Sequence, residues 1–194
     1  MKYLSDKEFE EINKTVSIYS LMSPEIKDIN EYCFDFGIAK EYEYFIKGEA
    51  AELEEKCITR TFVIIHNETK EFIGYFTLSA DAVKLTNSEK SDIELDNVLY
   101  KSLPSIKVGK LAINKALSAN IKRKGYGSFA LDIANTYAFE VLETGVACRF
   151  LTVDADIEYD EGTIEFYEKN GFERNLSIKK SDKTVSMRRD IFSI

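Results

Sequence analysis

The sequence has few of the residues that mark fibrous, disordered or repetitive chains. Only 9 glycines and 2 prolines occur among 194 residues, and 44% of the residues are hydrophobic. This composition excludes collagen-like and disordered classes, and the length allows a substantial core without metals or crosslinks. We therefore expect one globular domain spanning residues 1–194.

Cysteine and histidine are also scarce. Cys33, Cys57 and Cys148 are odd in number, widely spaced and without a C-x-x-C pair, and His66 is the only histidine. The pattern argues against a disulfide framework and against a zinc site, so we predict three reduced cysteines in or near the core. One histidine also argues against Ser-His-Asp and two-histidine metal chemistry, and we interpret His66 as structural.

Long apolar runs are absent as well. No segment approaches the roughly 20 apolar residues needed to cross a bilayer. The first six residues (MKYLSD) lack the apolar stretch of a signal peptide. The sequence therefore predicts a cytoplasmic protein that does not insert into a membrane.

Charge is unevenly distributed along the chain. The 26 basic and 34 acidic residues give a net charge of −8, which argues against a nucleic-acid or anionic-membrane partner. Residues 97–131, the basic segment, contain no acidic residue, and residues 154–168, the acidic segment, contain no basic one. The charged residues are Lys101, Lys107, Lys110, Lys115, Lys122, Arg123 and Lys124 in the first, and Asp154, Asp156, Glu158, Asp160, Glu161, Glu165 and Glu168 in the second. The basic segment favours an anionic ligand and the acidic segment a cationic one, with a solvated face as the alternative for each.

Hydrophobic periodicity predicts a mixed α/β order of elements. Helices are predicted at 6–12, 23–33, 41–57, 128–142 and 162–169, and strands at 15–21, 61–65, 72–79, 106–113, 149–153, 172–178 and 184–191. The second helix would be capped by Ser23 with Pro24 in its first turn. In the strand 106–113 we expect Ile106, Val108, Leu111 and Ile113 to point inward, with a bulge beside Gly109 between the two pairs. Residues 81–105 are interpreted as a long inserted loop.

The segment 122–128 has the features of a phosphate-binding turn. It lies between a strand and a helix and reads KRKGYGS. Its two glycines allow close approach of the backbone to a ligand, and the first N–H groups of the helix point outward at the positive end of its dipole. Gly125, Gly127 and Ala130 also match a dinucleotide fingerprint, but a Rossmann turn follows its strand directly and a P-loop requires Gly-Lys-Ser/Thr.

These residues resemble the GNAT superfamily of acyl-CoA N-acyltransferases, whose signature is Gln/Arg-x-x-Gly-x-Gly/Ala between the fourth strand and its helix. Here Lys122 stands in place of Gln or Arg, followed by Gly125 and Gly127. FLTVD at 150–154 and IEFYEKNGF at 164–172 are similar to the family's fifth strand and following helix. The resemblance covers residues 61–191, whereas residues 1–60 match only in the order of elements.

The resemblance implies a fold and a cofactor site. The fold is a mixed α/β (α+β) domain whose mostly antiparallel sheet is splayed between its fourth and fifth strands, with helices on both faces. The pantetheine arm of acetyl-CoA would pair with the fourth strand, a backbone N–H near Leu111 would face the thioester oxygen, and the following turn would hold the pyrophosphate. The implied cofactor-binding residues are Lys110, Leu111, Ala112, Ile113, Lys122, Arg123, Lys124, Gly125, Tyr126, Gly127 and Ser128.

The resemblance also implies two catalytic residues. The hydroxyl of Tyr167 would protonate the departing CoA thiolate, the alternative being a core aromatic that anchors its helix. An amine with a pKa near 10.4 is only about 0.04% neutral at pH 7, so the reaction needs a group that accepts a proton. Asp154, with Asp156 and Glu158 nearby, would hold the ammonium and relay its proton, the alternative being a solvated acidic loop.

Three functions are compatible with these residues. The first is an acetyl-CoA-dependent N-acetyltransferase acting, without a metal, on a primary amine of a small molecule, peptide or protein. The second is a tRNA-acetylating toxin, to which 150–154 and 166–172 are also similar. Its RNA would need a basic patch, for which the candidates are Lys179, Lys180, Lys183, Arg188 and Arg189. The third is a non-catalytic acyl-CoA-binding module. The acceptor and the choice between monomer and homodimer stay open.

Overall fold

The computed structural model describes residues 4–160, 162–177, 181 and 183–193. In this part of the chain, seven strands form one sheet in the order β1-β2-β3-β4-β5-β7-β6. They are β1 (Val16–Ser20), β2 (Arg60–His66), β3 (Phe72–Lys84), β4 (Ser102–Ile113), β5 (Phe150–Asp156), β6 (Glu173–Arg174) and β7 (Thr184–Asp190). β2 is antiparallel to β1 and β3, and β7 to β5 and β6. The prediction of a mixed α/β fold with a mostly antiparallel sheet is confirmed.

Helices connect the strands. They are α1 (Asp6–Asn13), a 3-10 turn (Ile29–Glu31), α2 (Lys40–Tyr44), a π-helical turn (Phe45–Glu49), α3 (Ala50–Glu55), α4 (Asn87–Ser91), α5 (Tyr126–Glu143) and α6 (Thr163–Lys169). α1 begins at a capping box, in which Ser5 Oγ accepts from the Glu8 N–H and the Glu8 carboxylate accepts from the Ser5 N–H. Among the residues described, none of these helices is both long and apolar enough to span a bilayer.

Internal contacts divide the described residues into two compact units. The first unit comprises residues 4–79 and 108–133, and the second comprises the rest, 80–107 and 134–193 with the gaps given above. β3 and β4 contribute to both. The expectation of one domain stays a prediction.

The first unit has an aromatic core. Its buried members are Leu21, Phe34, Phe36, Phe45, Ile46, Ala50, Val63, Ile65, Phe72, Tyr75 and Ala112. Within it, the Tyr75 hydroxyl donates to the Tyr42 carbonyl at 2.8 Å. β3 and β4 approach closely at Gly74, where a Cβ would lie 2.4 Å from the Ala112 carbonyl oxygen. Only glycine fits there, so this position sets the packing of β4 in the first unit.

The second unit combines a small apolar cluster with a buried ion pair. Val83, Leu85, Leu103 and Phe150 form the cluster, against which Ile93, Leu95 and Val98 pack. Arg188 Nη1 on β7 lies 2.8 Å from Glu89 Oε1 on α4, and both side chains are at most 5% exposed. Glu89 also accepts from the N–H groups of Thr86 and Leu176. These contacts join α4 to β7 and to the residues that follow β6.

The inserted segment is more ordered than the sequence indicates. Instead of a long loop over 81–105, β3 continues to Lys84, α4 occupies Asn87–Ser91 and β4 begins at Ser102. The physical reason is a second capping box, in which Thr86 Oγ1 accepts from the Glu89 N–H while the Glu89 carboxylate accepts from the Thr86 N–H.

The helix predicted over 23–33 is wrong. The structure has turns there and only the short 3-10 segment at 29–31. Ser23 does not cap a helix, because its hydroxyl is hydrogen-bonded to the Glu25 carboxylate. The Asp28 carboxylate accepts from the Asn30 N–H at 3.0 Å, a local bond that competes with helix formation.

The expected inward positions at the end of β4 are also wrong. Leu111 and Ile113 are half-buried, whereas Val108 and Ala112 are buried. Val108 and Ala112, four residues apart, are both buried, so the inward parity of the strand does not change beside Gly109. Because side chains of a strand point to alternate faces, the core receives the small Ala112 rather than its larger neighbours.

Candidate active site

The turn before α5 requires glycine. Gly125 has φ +103°, and a Cβ at this position would lie 2.9 Å from Leu4 Cδ2. The Gly125 carbonyl accepts from the Phe129 N–H at 2.8 Å, which is the first hydrogen bond of the α5 helix. The N–H groups of the preceding helical residues therefore have no partner within the helix and lie at the positive end of its dipole. Such a helix terminus suits an anion.

The side chains of the first turn of α5 divide into buried and exposed ones. Tyr126 is buried, its hydroxyl donates to the Ile121 carbonyl at 3.0 Å, and burial raises the pKa of this phenol. Its contribution to a ligand is thus limited to the backbone. Ser128 is 1% exposed, and its Oγ has no hydrogen-bond partner among the described residues. A buried hydroxyl without a partner is costly, which supports a ligand at this turn.

Three exposed cations, Lys122, Arg123 and Lys124, precede the turn. The Arg123 guanidinium lies 3.8 Å from Glu11 Oε2, and Lys122 Nζ donates to the Lys115 carbonyl at 3.2 Å. Within the described part of the chain, Lys124 has no ion pair. The local charge is therefore largely uncompensated, as an anion-binding turn requires.

The end of β4 is fixed against β3 on one side. The Lys110 N–H donates to Thr77 Oγ1 at 2.9 Å. Since successive N–H groups of a strand point in opposite directions, the Leu111 N–H faces away from β3. The Lys110 ammonium lies over the rings of Tyr42 and Phe45, at 4.7 and 5.2 Å. The ammonium also lies 3.8 Å from Glu41 Oε1. The Lys110 charge is thus held by aromatic faces and a carboxylate rather than directed at the turn before α5.

Sequence reasoning missed Asn114, which positions the chain as it leaves β4. This buried side chain accepts from the N–H groups of Asp35 and Ala116, both at 2.9 Å. It donates to the carbonyls of Phe72 and Cys33, at 2.8 and 3.1 Å. An asparagine directly after an apolar strand is the sequence signal, but its partners lie up to 81 residues away and leave no local pattern.

In the second unit, α6 holds Tyr167 with a fixed ring. Tyr167 is 8% exposed, and its ring contacts those of Phe166 and Phe172 with centroids 5.1 and 5.3 Å apart. Its carbonyl accepts from the N–H groups of Asn170 and Phe172 at the end of the helix. The anchoring role that the sequence left as an alternative therefore applies to the ring, whereas the role of the hydroxyl stays a prediction.

Asp154 on β5 is exposed and forms an ion pair. Its Oδ2 pairs with Lys107 Nζ on β4. Its predicted role, binding an ammonium and accepting a proton, therefore concerns a carboxylate that already contacts an ammonium of the same chain.

The other described carboxylates of the acidic segment have hydrogen-bond or ion-pair partners in the same chain. Asp156 accepts a hydrogen bond from the Glu158 N–H, and Asp160 accepts one from the Gly162 N–H. The other pairs are Glu158 with Lys183, Glu165 with Lys169 and Glu168 with Arg174, at 2.6–3.0 Å. Glu161 lies outside the described residues. For Asp156, Glu158, Asp160, Glu165 and Glu168, these contacts favour the solvated face that the sequence left as the alternative, because turns and neighbouring cations take up the carboxylates.

The described members of the basic patch considered for RNA are either buried or paired. Arg188 and Arg189 are 4% and 8% exposed, since β7 lies between β5 and β6 in the sheet. Lys183 pairs with Glu158 at 2.8 Å. Lys179 and Lys180 lie outside the described residues.

The cysteines and the histidine fit the expectations in part. Cys148 is buried, and burial raises the pKa of its thiol, whereas Cys33 and Cys57 are exposed rather than in the core. His66 is buried, with Nδ1 at 3.3 Å from the Thr69 nitrogen, which fits a structural residue. In the described ranges, no group of three or more histidine, cysteine or acidic side chains is arranged to hold a metal ion.

No family model and no curated protein matches this sequence. Solved structures are similar in fold. A tyrosine-to-phenylalanine variant of KacT is 20% identical, covering 89% of this chain and 94% of that chain with a TM-score of 0.67. AtaT complexed with acetyl-methionyl-tRNAfMet is 21% identical over 88% and 93%, with a TM-score of 0.64. AtaTR bound with AcCoA is 20% identical over 90% and 93%, with a TM-score of 0.62. At identities this low, the structural similarity establishes the fold alone, which is the GNAT fold.

Proposed function

We propose that this chain is an acetyl-CoA-dependent N-acetyltransferase. The observation that carries the proposal is the start of α5, where a left-handed Gly125, the unpartnered Oγ of buried Ser128 and the exposed Lys122 and Lys124 surround free helix N–H groups. These groups fit the pyrophosphate of a coenzyme A thioester. AcCoA is also the ligand named for AtaTR, a structure of the same fold.

Acetyl-CoA supplies an acetyl group already activated as a thioester. In the proposed mechanism, the turn at 123–128 binds the pyrophosphate through its N–H groups. The Leu111 N–H, which faces away from β3, donates to the thioester oxygen as negative charge develops on it. The acceptor nitrogen would form the new C–N bond and pass its proton to Asp154 as the C–S bond breaks, while Tyr167 donates its hydroxyl proton to the leaving sulfur, so that coenzyme A departs as the thiol and Tyr167 regains a proton from solvent. The packed ring of Tyr167 limits the orientations of that hydroxyl.

The proposed acceptor is the α-amino group of an aminoacyl-tRNA, and the proposed role is that of a toxin. This is favoured over a small-molecule or peptide amine by the similarity to AtaT complexed with acetyl-methionyl-tRNAfMet. The net charge of −8 opposes RNA binding. RNA would therefore contact local cations rather than the average surface, and binding would weaken steeply as salt is added.

The test measures thiol release from acetyl-CoA with aminoacyl-tRNAs, peptides and small amines. We expect thiol release with aminoacyl-tRNA. The rate of release should fall at least about a hundredfold in Gly127→Glu, because this change places a negative charge among the phosphate-binding N–H groups. The same charge is favourable for the helix itself, so the variant should stay folded. Gly48→Glu is the matched control, because Gly48 is exposed in a helical turn with nothing within 4 Å of its Cβ position.

Three results would overturn parts of the proposal. Acetyl-CoA binding without thiol release over the whole panel would indicate a non-catalytic module. Undiminished acetyl-CoA binding in Gly127→Glu would show that the α5 turn is not the phosphate site. Growth arrest on expression should be relieved by Tyr167→Phe, and a chain that causes no arrest and acetylates only small amines is not a tRNA-directed toxin.

A further inference from the structure

One face of the sheet in the second unit carries ordered rows of side chains across β3, β4 and β5. The apolar row is Val83, Leu103 and Phe150, which belong to one packed cluster. The charged row contains Lys107 and Asp154, which form an ion pair. Residues an even number apart on a strand share a face, so Leu103 and Lys107 on β4 face the same side as Phe150 and Asp154 on β5.

A row of uncharged and acidic polar side chains lies between the apolar row and the charged row. It consists of Asp81 on β3, Ser105 on β4 and Thr152 on β5, each two residues along its strand from the apolar row. Asp81 Oδ2 accepts from Thr152 Oγ1 at 2.5 Å, reaching across β4. Ser105, between them, is 5% exposed, and its Oγ has no partner among the described residues.

The chemistry of this face fits a primary ammonium. The Asp81 carboxylate is held beside Thr152, and residues two apart on a strand are about 6.6 Å apart, so the carboxylates of Asp81 and Asp154 are within reach of one small cation. Asp81 is half-buried and Asp154 is exposed. The Lys107 ammonium already binds there, which shows that the face holds this kind of group.

We propose that Asp81 and Asp154 form the subsite for the ammonium of the acceptor, and that Lys107 occupies the site until the acceptor displaces it. The inference rests on the proposed acetyltransferase function and names the residues of this chain that would hold the ammonium of its acceptor. Ser105, which both donates and accepts hydrogen bonds, is the spare partner for Asp81 when that carboxylate turns from Thr152 to the ligand.

Binding is measured first without catalysis, by NMR titration of the full chain with propylammonium and, as a neutral match, 1-propanol. We expect propylammonium to shift the amide signals of Thr152 and Asp154 in the second unit, and 1-propanol not to shift them. Lys107→Ala should bind propylammonium about two- to fivefold more tightly, because a partly exposed ion pair no longer competes. Adding Asp154→Asn or Asp81→Asn to that variant should abolish the gain.

The matched control is Lys169→Ala, which releases Glu165 from an exposed ion pair in the same unit and should not change propylammonium binding. The proposal is overturned if Lys107→Ala binds no more tightly than the parent chain, or if 1-propanol produces the same shifts. Failure of the proposed function is a separate result, in which propylammonium binds as expected and no amine on the panel is acetylated.

Two further measurements separate this role from a structural one. In an active enzyme, Asp81→Asn should raise KM for the amine about tenfold and leave KM for acetyl-CoA unchanged, whereas a folding defect would lower kcat and the melting temperature. Ser105→Ala should not lower the melting temperature, since it removes a buried hydroxyl without a partner. It should still weaken propylammonium binding, and unchanged binding would contradict the role given to Ser105.

Discussion

The basic segment and the acidic segment each carry seven charges of one sign, but the fold pairs these charges to different extents. In the acidic segment the described carboxylates accept turn N–H groups or pair with Lys107, Lys169, Arg174 and Lys183. In the basic segment, Lys107 and Lys110 lie near Asp154 and Glu41, but the cations directly before α5 are less compensated. Lys122 donates only to a carbonyl, and the Arg123 pair is long at 3.8 Å. A run of basic residues therefore indicates an anionic ligand most clearly at the positions that the fold leaves without a close partner.

The difference has a geometric origin. Helix spacing brings Glu165 to Lys169, and strand pairing brings Lys183 towards the residues after β5. The cations before α5 instead lie on a turn whose neighbours in sequence include no acid. Their charge adds to that of the helix terminus, where it is useful to an anionic ligand.

The largest expected effect concerns the most deeply buried acid of the second unit. Glu89→Gln breaks the pair with Arg188, and leaving a buried charge without its partner costs about 3 kcal/mol of unfolding free energy. Chemical denaturation measures this loss. A cost below about 1 kcal/mol would show that the buried pair is no stronger than the exposed pairs of the acidic segment.

The same residue predicts a dependence of stability on pH. Burial raises the pKa of Glu89, but hydrogen bonds from the N–H groups of Leu176 and Thr86 and the charge of Arg188 outweigh it and hold the pKa below the ordinary value. The contribution is then fully present above the ordinary glutamate range and is lost as the pH falls through the lower, folded value. Acid unfolding of Glu89→Gln should lack this component, and parallel curves for the two proteins would contradict it.

An intermediate effect is expected at the turn before α5. Replacing Lys122 and Lys124 together by alanine should weaken acetyl-CoA binding about five- to twentyfold at low salt and less at high salt, because exposed charges are screened. Isothermal titration at two salt concentrations measures both changes. A loss that does not depend on salt would indicate a packing defect instead of a lost charge.

The smallest effect is expected in the acidic segment itself. Lys183→Ala removes an exposed partner of Glu158, and exposed pairs contribute little. The melting temperature should fall by less than about 3 °C, and acetyl-CoA binding should not change. A larger fall would mean that the pairing in this segment is cooperative, which would sharpen the contrast with the basic segment.

Local patterns predicted most strands, the helix α5 and the turn at Gly125, because periodicity and glycine chemistry act over a few residues. α4 was predictable too, since Thr86 and Glu89 have capping-box spacing, but its polar surroundings suggested a loop. Glu89 has partners 87 and 99 residues away in the sequence, and Asn114 has partners 79 and 81 residues away. No local rule predicts them, and for the same reason the burial of Arg188 and the pairing of Asp154 with Lys107 could not be foreseen.

The most direct test of the central claim is an NMR titration of the uniformly labelled chain with acetyl-CoA. If the turn that follows Lys122, Arg123 and Lys124 is the cofactor site, the amide signals of Gly125, Tyr126, Gly127 and Ser128 should shift most, and those of residues 156–160 should not move. Binding that leaves the four amides of the α5 turn unshifted, or no binding at millimolar acetyl-CoA, would contradict the account.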